Sequence, residues 1–544
     1  MSDKLLSIKG LSVLLPPGSD RTRAIDDVNL DLYAGETVCV VGESGSGKSL
    51  TARAIMGLLP APHVRIGSGQ VIFDGKDLVN IGYETLRQIR GSEISMIFQE
   101  PMTALNPVMS IGAQIDEIFR FHVAMNSKER RKKAVKLLEN VNLPDPQQIV
   151  NSYPHELSGG QRQRAMIAMA LALSPKILIA DEPTTALDVT TQAQILNLIK
   201  QMQKRYNSGV LFITHDFGVV ADIADRVVVM QEGLVVEAGA VGQVLNEPRH
   251  PYTKSLIRAV PSLNPRKPRG ASSEKVLEVE NLNKTFGGGK SYFGLGKGSR
   301  VVDAVKNVSL ELFRGETLGI VGESGSGKST LARCVIRLLQ SSSGKVILDG
   351  KEITTLTRGE MRPLRAKIQM VFQDPFASLN PRTKVGNIIS QGPMTQGYPR
   401  GECEERAREL LSVVGLDEKA FNRFPHEFSG GQRQRIGIAR ALALNPEILV
   451  ADEPVSALDV SIQAQILKLL DEIREQMKLS MLFITHDLRV AAQVCDRLAV
   501  MQYGEVVEIG KTGDLFQNPR HEYTRALLHA VPGKRWKKEG VHAN

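Results

Sequence analysis

The sequence predicts an α/β protein made of two copies of one nucleotide-handling domain in tandem. Three observations predict it. Short apolar runs such as Thr37–Val41 and Thr317–Val321 each enter a glycine-rich turn and then a helical pattern, the alternation expected of buried parallel strands and helices. A set of motifs occurs twice in the same order: GESGSGKS at 42–49 and 322–329, LSGGQ at 157–161 and FSGGQ at 428–432, ILIADE at 177–182 and ILVADE at 448–453, then a late His215 and His486. The chain also has 544 residues, 42% of them hydrophobic, too long for one core of ~100–250 residues and too apolar for disorder.

The spacing of the copies sets the domain plan. Lys48 and Lys328 are 280 residues apart, whereas Ser158 and Ser429, Asp181 and Asp452, and His215 and His486 are each 271 apart. The first copy therefore carries nine extra residues (280 − 271) between its first two motifs, and loops are expected to absorb them. The stretch PSLNPRKPRGASSE at 261–274 reads as a linker without core contacts. The expected plan is a first domain over 1–262, a linker over 263–275 and a second domain over 276–544, restarting with VLEVENLNKTF where the first has LLSIKGLSVLL. The glycine-rich insert at 287–300 reads as a loop between two early strands. A helix is expected over 126–141, with Asn126 as N-cap, Glu129 three residues on, and Ala134, Leu137, Leu138 and Val141 on one face.

Composition excludes several classes. No run reaches the ~18–20 apolar residues of a membrane span, and the N-terminus MSDKLLSIKG lacks the apolar stretch of a signal peptide, so the chain is expected to stay in the cytosol. Cys39, Cys334, Cys403 and Cys495 form no CxxC pair, which leaves a zinc or iron–sulfur site without sequence support. The net charge of +9 is spread over both halves. Its clusters, KERRKK at 128–133 and KRWKK at 534–538, read as a solvated helix face and a frayed end.

A phosphate chain needs many donors in a small space. In Gly42, Glu43, Ser44, Gly45, Ser46, Gly47, Lys48 and Ser49, and again in Gly322, Glu323, Ser324, Gly325, Ser326, Gly327, Lys328 and Ser329, glycines let backbone N–H groups turn inward. The following helix points its positive end at the anion. Lys48 and Lys328 are expected to reach the β- and γ-phosphates, and Ser49 and Ser329 to ligate Mg2+. One glycine-rich turn would say little. This pattern recurs, each time after an apolar strand and before a helical run.

The acid pairs Asp181-Glu182 and Asp452-Glu453 each end an apolar run. The aspartates are expected to hold Mg2+. The glutamates, facing the other way in an extended chain, are expected to act as general bases on the attacking water. His215 and His486 sit in FITHD segments, each 34 residues beyond its aspartate, and that equal spacing favours a γ-phosphate contact over a structural role. Ser158, Gly159, Gly160 and Gln161, with Ser429, Gly430, Gly431 and Gln432, form a second phosphate-shaped turn that opens a helical segment. Each half already has one phosphate loop, so the spare turn makes sense as a cover for the other half's nucleotide.

With these motifs in this order, the chain resembles the tandem ATP-binding proteins of the ATP-binding cassette (ABC) superfamily over nearly all of both halves. The resemblance implies two P-loop NTPase domains, each with a RecA-like core, an antiparallel β subdomain and a helical subdomain. It implies ATP and Mg2+ as ligands at two sites shared head to tail. One site would join Lys48, Ser49, Gln99, Asp181, Glu182 and His215 to Ser429, Gly430, Gly431 and Gln432. The other would join Lys328, Ser329, Gln373, Asp452, Glu453 and His486 to Ser158, Gly159, Gly160 and Gln161. Gln99 and Gln373 would assist the metal, and Asp188 and Asp459 match the loop that crosses the interface. Phe428 replaces the usual leucine of the second signature. Both halves keep their glutamate and histidine, implying two hydrolytic sites. The aromatic that often stacks on adenine is missing from 12–27, where Arg21 or Arg23 could stack instead; the second half offers Phe286, Tyr292 and Phe293.

Two further stretches narrow the branch. QEPMTALNP at 99–107 and QDPFASLNP at 373–381, with RHPYT at 249–253 and RHEYT at 520–524, resemble the peptide, nickel and opine importers, and fused members are similar to glutathione and microcin-type peptide importers. That branch implies an ATPase subunit peripheral to the cytoplasmic face of the inner membrane. It would drive two integral membrane permease subunits, fed by a periplasmic solute-binding protein, with no nucleic-acid partner. No cysteine follows His250 or His521 in the C-terminal extensions, so no iron–sulfur cluster is expected. The alternative is a soluble tandem ATPase acting on ribosomes, a class that usually joins its halves by a long charged helix rather than a short Pro-, Gly- and Ser-rich joint.

Overall fold

Six strands in each half build the sheet that carries the motifs. The computed structural model describes residues 3–184, 187–267, 269–270, 272–287, 301–456, 458–534 and 536. The chain divides into two compact units, Met1–Val260 with Val531–Asn544, and Pro261–Ala530. In the first, the sheet order is Leu234–Ala240, Arg226–Gln231, Thr37–Val41, Gly209–Ile213, Ile177–Asp181 and Ile94–Ile97. All neighbours are parallel except the antiparallel edge at Leu234–Ala240. Thr37–Val41, Ile177–Asp181 and Gly209–Ile213 are buried at every position. Strands covered on both faces have no solvent side to mark with polar residues, hence their unbroken apolar runs. The second unit repeats the order with Glu505–Lys511, Arg497–Gln502, Thr317–Val321, Ser480–Thr485, Ile448–Asp452 and Ile368–Val371.

A four-stranded antiparallel sheet joins each core. In the first unit it is ordered Arg23–Tyr33, Lys4–Leu14, Arg65–Phe73 and Lys76–Asp77. Its Leu6, Leu11 and Ile25 share one cluster with Val40, Ile179 and Leu211 of the parallel sheet. The helices Ile111–His122, Ser127–Asn140 and Gly159–Ala170 follow in the chain. Ser127–Asn140 starts where its cap residues dictate. Glu129 N donates to Asn126 Oδ1 and Asn126 N to Glu129 Oε2, both at 3.0 Å, while Ala134, Val135 and Leu138 turn inward.

Arg65–Phe73 has nine residues against six in Ser343–Leu348, because Val13 and Leu14 give Ile66 and Arg65 strand partners. One expectation needs correction: the joint is not free of contacts. Arg266 N donates to Ala492 O at 2.9 Å, Gln493 Nε2 to Ser262 O and Asn264 O at 2.9 Å, and Arg269 Nη2 lies 3.1 Å from Asp471 Oδ1. The segment packs on the helix Leu488–Val494 of its own unit. Proline and glycine content sets backbone stiffness; it does not stop carbonyls and guanidinium groups from finding partners.

Residues 288–300 of the early insert lie outside the described residues. Of the basic tail, Trp536 Nε1 donates to Asn246 Oδ1 at 3.1 Å, and positions 535 and 537–544 lie outside the described residues. Among the described residues no helix is long and apolar enough to cross a membrane. Cys39, Cys334, Cys403 and Cys495 are buried as free thiols.

The topology places the site. Strands ending at Ile97, Asp181, Ile213 and Val41 are successive neighbours in the first sheet. Their carboxyl ends lie side by side, and the segments leaving them carry Gln99, Glu182, His215 and the loop 42–49. Open α/β sheets take ligands along this edge.

Candidate nucleotide sites

The phosphate loop turns because only glycine fits. Gly42 has φ 152°, and a Cβ there would stand 2.2 Å from Met230 O; Gly322 has φ 153° and the same 2.2 Å approach to Met501 O. The helix Lys48–Ile55 opens on Gly47 with no side-chain cap, as a helix start must if an anion is to take its first N–H groups. Lys48 is buried, and its Nζ donates to Gly42 O at 2.9 Å and Glu43 O at 2.8 Å. Lys328 Nζ donates likewise to Gly322 O at 2.8 Å and Glu323 O at 2.7 Å.

The acid pairs stand beside these loops. Ser49 Oγ donates to Asp181 Oδ1 at 2.8 Å and Ser329 Oγ to Asp452 Oδ1 at 2.9 Å. Burial pushes both aspartates up, helped by the glutamate next door and opposed by the serine hydroxyl. A cation would relieve that penalty. Among the described residues no cluster of three His, Cys, Asp or Glu side chains could hold a metal by itself. A serine and an aspartate oxygen per half fit Mg2+, which takes few protein ligands and completes its shell with water and phosphate oxygens.

The glutamates depart from expectation. The strands end at Asp181 and Asp452, and Glu182 and Glu453 are not extended but left-handed, each with φ 45°. The neighbouring strand still holds their backbone: Glu182 N donates to Ile213 O at 3.0 Å and Glu453 N to Ile484 O at 2.9 Å. The carboxylates then meet two motif partners. Gln99 Nε2 donates to Glu182 Oε2 at 3.0 Å, and His215 Nδ1 lies 3.4 Å from the same oxygen. In the second half the distances are 2.9 Å from Gln373 and 3.1 Å from His486. Burial opposes ionisation of Glu453, but the hydrogen bond from His486 holds its carboxyl below the usual range. Burial also drives His486 toward neutrality, and the Glu453 carboxylate reverses this, holding the imidazole above the ordinary histidine range.

The signature turns are rigid helix starts. Gln161 N donates to Ser158 Oγ at 3.3 Å and Ser158 N to Gln161 Oε1 at 2.9 Å. Ser429 and Gln432 repeat the box at 3.3 and 3.1 Å. Gly159 and Gly160, like Gly430 and Gly431, form the first turns of the helices Gly159–Ala170 and Gly430–Leu442. Asp188 caps the helix Val189–Tyr206, accepting from Thr191 N at 2.8 Å, and Asp459 holds the matching position before Val460–Met477.

The two candidate arginines differ in where they point. Arg21 Nη2 donates to Gly45 O of the phosphate loop, whereas Arg23 pairs with Asp26, so Arg21 is the one of the two that touches the loop. Phe286 is exposed, with Lys284 Nζ 5.0 Å from its ring centroid; Tyr292 and Phe293 lie outside the described residues.

Two site residues escaped the sequence reading. Tyr252 Oη accepts from Glu43 N, and Tyr523 Oη from Glu323 N, both at 3.0 Å. The available signal was the constant 271-residue offset of RHPYT and RHEYT, shared with the acid pairs and histidines.

Comparison with known proteins gives the family. The family model described as "ABC transporter" matches residues 25–185 and 305–456. A second, "Oligopeptide/dipeptide transporter, C-terminal region", matches 236–294 and 507–543. The chain is 46% identical to the glutathione import ATP-binding protein GsiA of Salmonella typhimurium over 562 residues, covering 98% of this chain and 90% of that one. It is 47% identical to the peptidoglycan transport ATP-binding protein YejF of Agrobacterium fabrum over 535 residues, covering 97% and 96%.

Proposed function

Because the chain belongs to the ABC transporter family of ATPases, we propose that it powers import of peptides, or of peptide-like solutes such as glutathione, through separate membrane permeases. The observation that carries this reading is the pair of C-terminal regions of oligopeptide/dipeptide transporter type, one per half. The relatives named above are import and transport ATP-binding proteins, and neither is named for action on ribosomes.

Residues 1–262 and 276–544 serve as the two functional halves. ATP draws them together, so that Ser429, Gly430, Gly431 and Gln432 cover the triphosphate held by Lys48. Ser158, Gly159, Gly160 and Gln161 cover the one held by Lys328. Ser49 with Asp181, and Ser329 with Asp452, assisted by Gln99 and Gln373, would hold Mg2+, which would supply charge neutralisation at the phosphates. Glu182 and Glu453 accept the proton of the attacking water. Gln99 with His215, and Gln373 with His486, hold each carboxylate in place for that transfer. Asp188 and Asp459 line the seam. Each closure favours one of two states, and hydrolysis releases it. Two permease subunits on the cytoplasmic face of the inner membrane receive this motion, and a periplasmic binding protein supplies the solute.

Co-expression with a candidate permease pair tests the reading. The chain is expected to co-purify with the permeases from detergent-solubilised membranes and to hydrolyse ATP faster when the solute-loaded binding protein is added. Sedimentation with ribosomes and no membrane fraction would defeat it.

A further inference from the structure

The C-terminal helix of each half begins at the RHPYT or RHEYT motif, which the phosphate chemistry leaves unused. Glu237, on the edge strand Leu234–Ala240, accepts from Arg249 N at 2.8 Å and His250 N at 3.1 Å. His250 Nδ1 accepts from Tyr252 N at 3.2 Å and caps the helix Pro251–Ala259. Leu256 and Ile257 are buried beneath it. The tyrosine is thus rooted on the same sheet that feeds the phosphate loop. In the second half Glu508 accepts from Arg520 N at 2.8 Å and His521 N at 3.0 Å, and His521 Nδ1 from Tyr523 N at 3.2 Å.

What this helix holds is one peptide group. The peptide joining Gly42 to Glu43 has its C=O on Lys48 Nζ at 2.9 Å and its N–H on Tyr252 Oη at 3.0 Å. The peptide joining Gly322 to Glu323 is gripped the same way by Lys328 at 2.8 Å and Tyr523 at 3.0 Å. The partners are 209 residues apart in one half and 200 in the other, so the contact survives the nine-residue insertion between them. When Lys48 leaves Gly42 O for a phosphate, the tyrosine hydroxyl still fixes the plane of that peptide. It therefore keeps the following N–H groups aimed into the loop.

We propose that Tyr252 and Tyr523 are positioning residues for ATP, through which the C-terminal region of each half presets its own phosphate loop. This rests on the ATPase reading above but not on the transported solute. Without the hydroxyl the loop must reorder on binding, which costs affinity rather than the chemical step.

The test uses the full-length purified chain with Tyr252→Phe, Tyr523→Phe and the double variant. Phenylalanine keeps the ring and removes the hydroxyl. Losing its hydrogen bond to the loop is expected to raise the Kd for a fluorescent ATP analogue and the KM for ATP by about threefold to tenfold at each altered site, with kcat within about twofold. A packing control away from both tyrosines, Ile473→Ala near the end of the helix Val460–Met477, is expected to lower Tm while leaving the KM near that of the unaltered chain. Equal KM and Kd in the double variant and the unaltered protein would overturn the proposal, as would a loss confined to kcat. An unaltered chain that fails to bind ATP would instead strike the ATPase reading, so the two failures are distinct.

Discussion

His486 Nδ1 lies 3.1 Å from Glu453 Oε2, two half-buried side chains within hydrogen-bonding distance. The consequence is a definite pH window. Burial alone would lower the histidine's affinity for a proton, yet the carboxylate raises it above the ordinary range, while Glu453 titrates below its own. Stability from the raised histidine is fully present below the pKa of an unfolded histidine and is lost as pH rises through the folded value. Stability from Glu453 is present above the unfolded glutamate pKa and is lost as pH falls through its depressed one. The pair is therefore strongest in the mildly acidic range between them. NMR titration of the His486 ring should show a pKa above that of a free imidazole, and Glu453→Gln should bring it below. An unmoved value in that variant would remove the carboxylate as the cause.

Loss of one proposed base leaves the other. Glu182→Gln is expected to retain partial ATPase activity, because Glu453 keeps its own partners at 2.9 and 3.1 Å. The double variant with Glu453→Gln is expected to fall by about 10²–10⁴-fold, the contribution of a general base. Steady-state phosphate release measures both. Full activity in the double variant would take these residues out of the mechanism.

Gly42→Ala tests the loop's close approach. The added methyl would meet Met230 O at 2.2 Å, and φ 152° is a region that residues with a side chain rarely adopt. Loss of about 1–3 kcal/mol of stability and loss of ATP binding at that site are expected, read by thermal unfolding and by a fluorescent nucleotide. Normal binding by the alanine variant would contradict the geometry.

Arg269→Ala tests the anchoring of the joint. Its guanidinium sits 3.1 Å from Asp471 and donates to Val494 O at 3.2 Å. Removing these bonds is expected to cost about 1–3 kcal/mol, seen as a lower Tm for unfolding of the whole chain. A Tm matching the unaltered protein would return the segment to the status of a passive connector.

The sequence reveals what is local. The strand Thr37–Val41, the turn at 42–47 and the helix from Lys48 are neighbours along the chain, so strand burial, glycine and helix start can be read together. The grouping of Gln99, Glu182 and His215 follows once their strands are adjacent. The left-handed turn of Glu182 was hidden because a strand ending in two acids reads as extended through both, and the bond from Glu182 N to Ile213 O joins a different strand that local pattern does not report. Tyr252 was hidden for the same reason: its partner is 209 residues away, and no periodicity reports such a pairing. Arg21 and Arg23 looked equivalent, and only the position of the Gly45 carbonyl separates them.

The buried thiols have a practical use. Complete burial pushes Cys39 and Cys495 above the ordinary thiol range, and burial raises Cys334 and Cys403 as well. Protonated sulfur is a poor nucleophile, so the native chain should ignore maleimide reagents near neutrality. A single surface cysteine could therefore carry a spectroscopic label without first stripping the natural ones. Two of them, placed one per half, would allow the proposed closure by ATP to be tested by distance in an otherwise unaltered molecule.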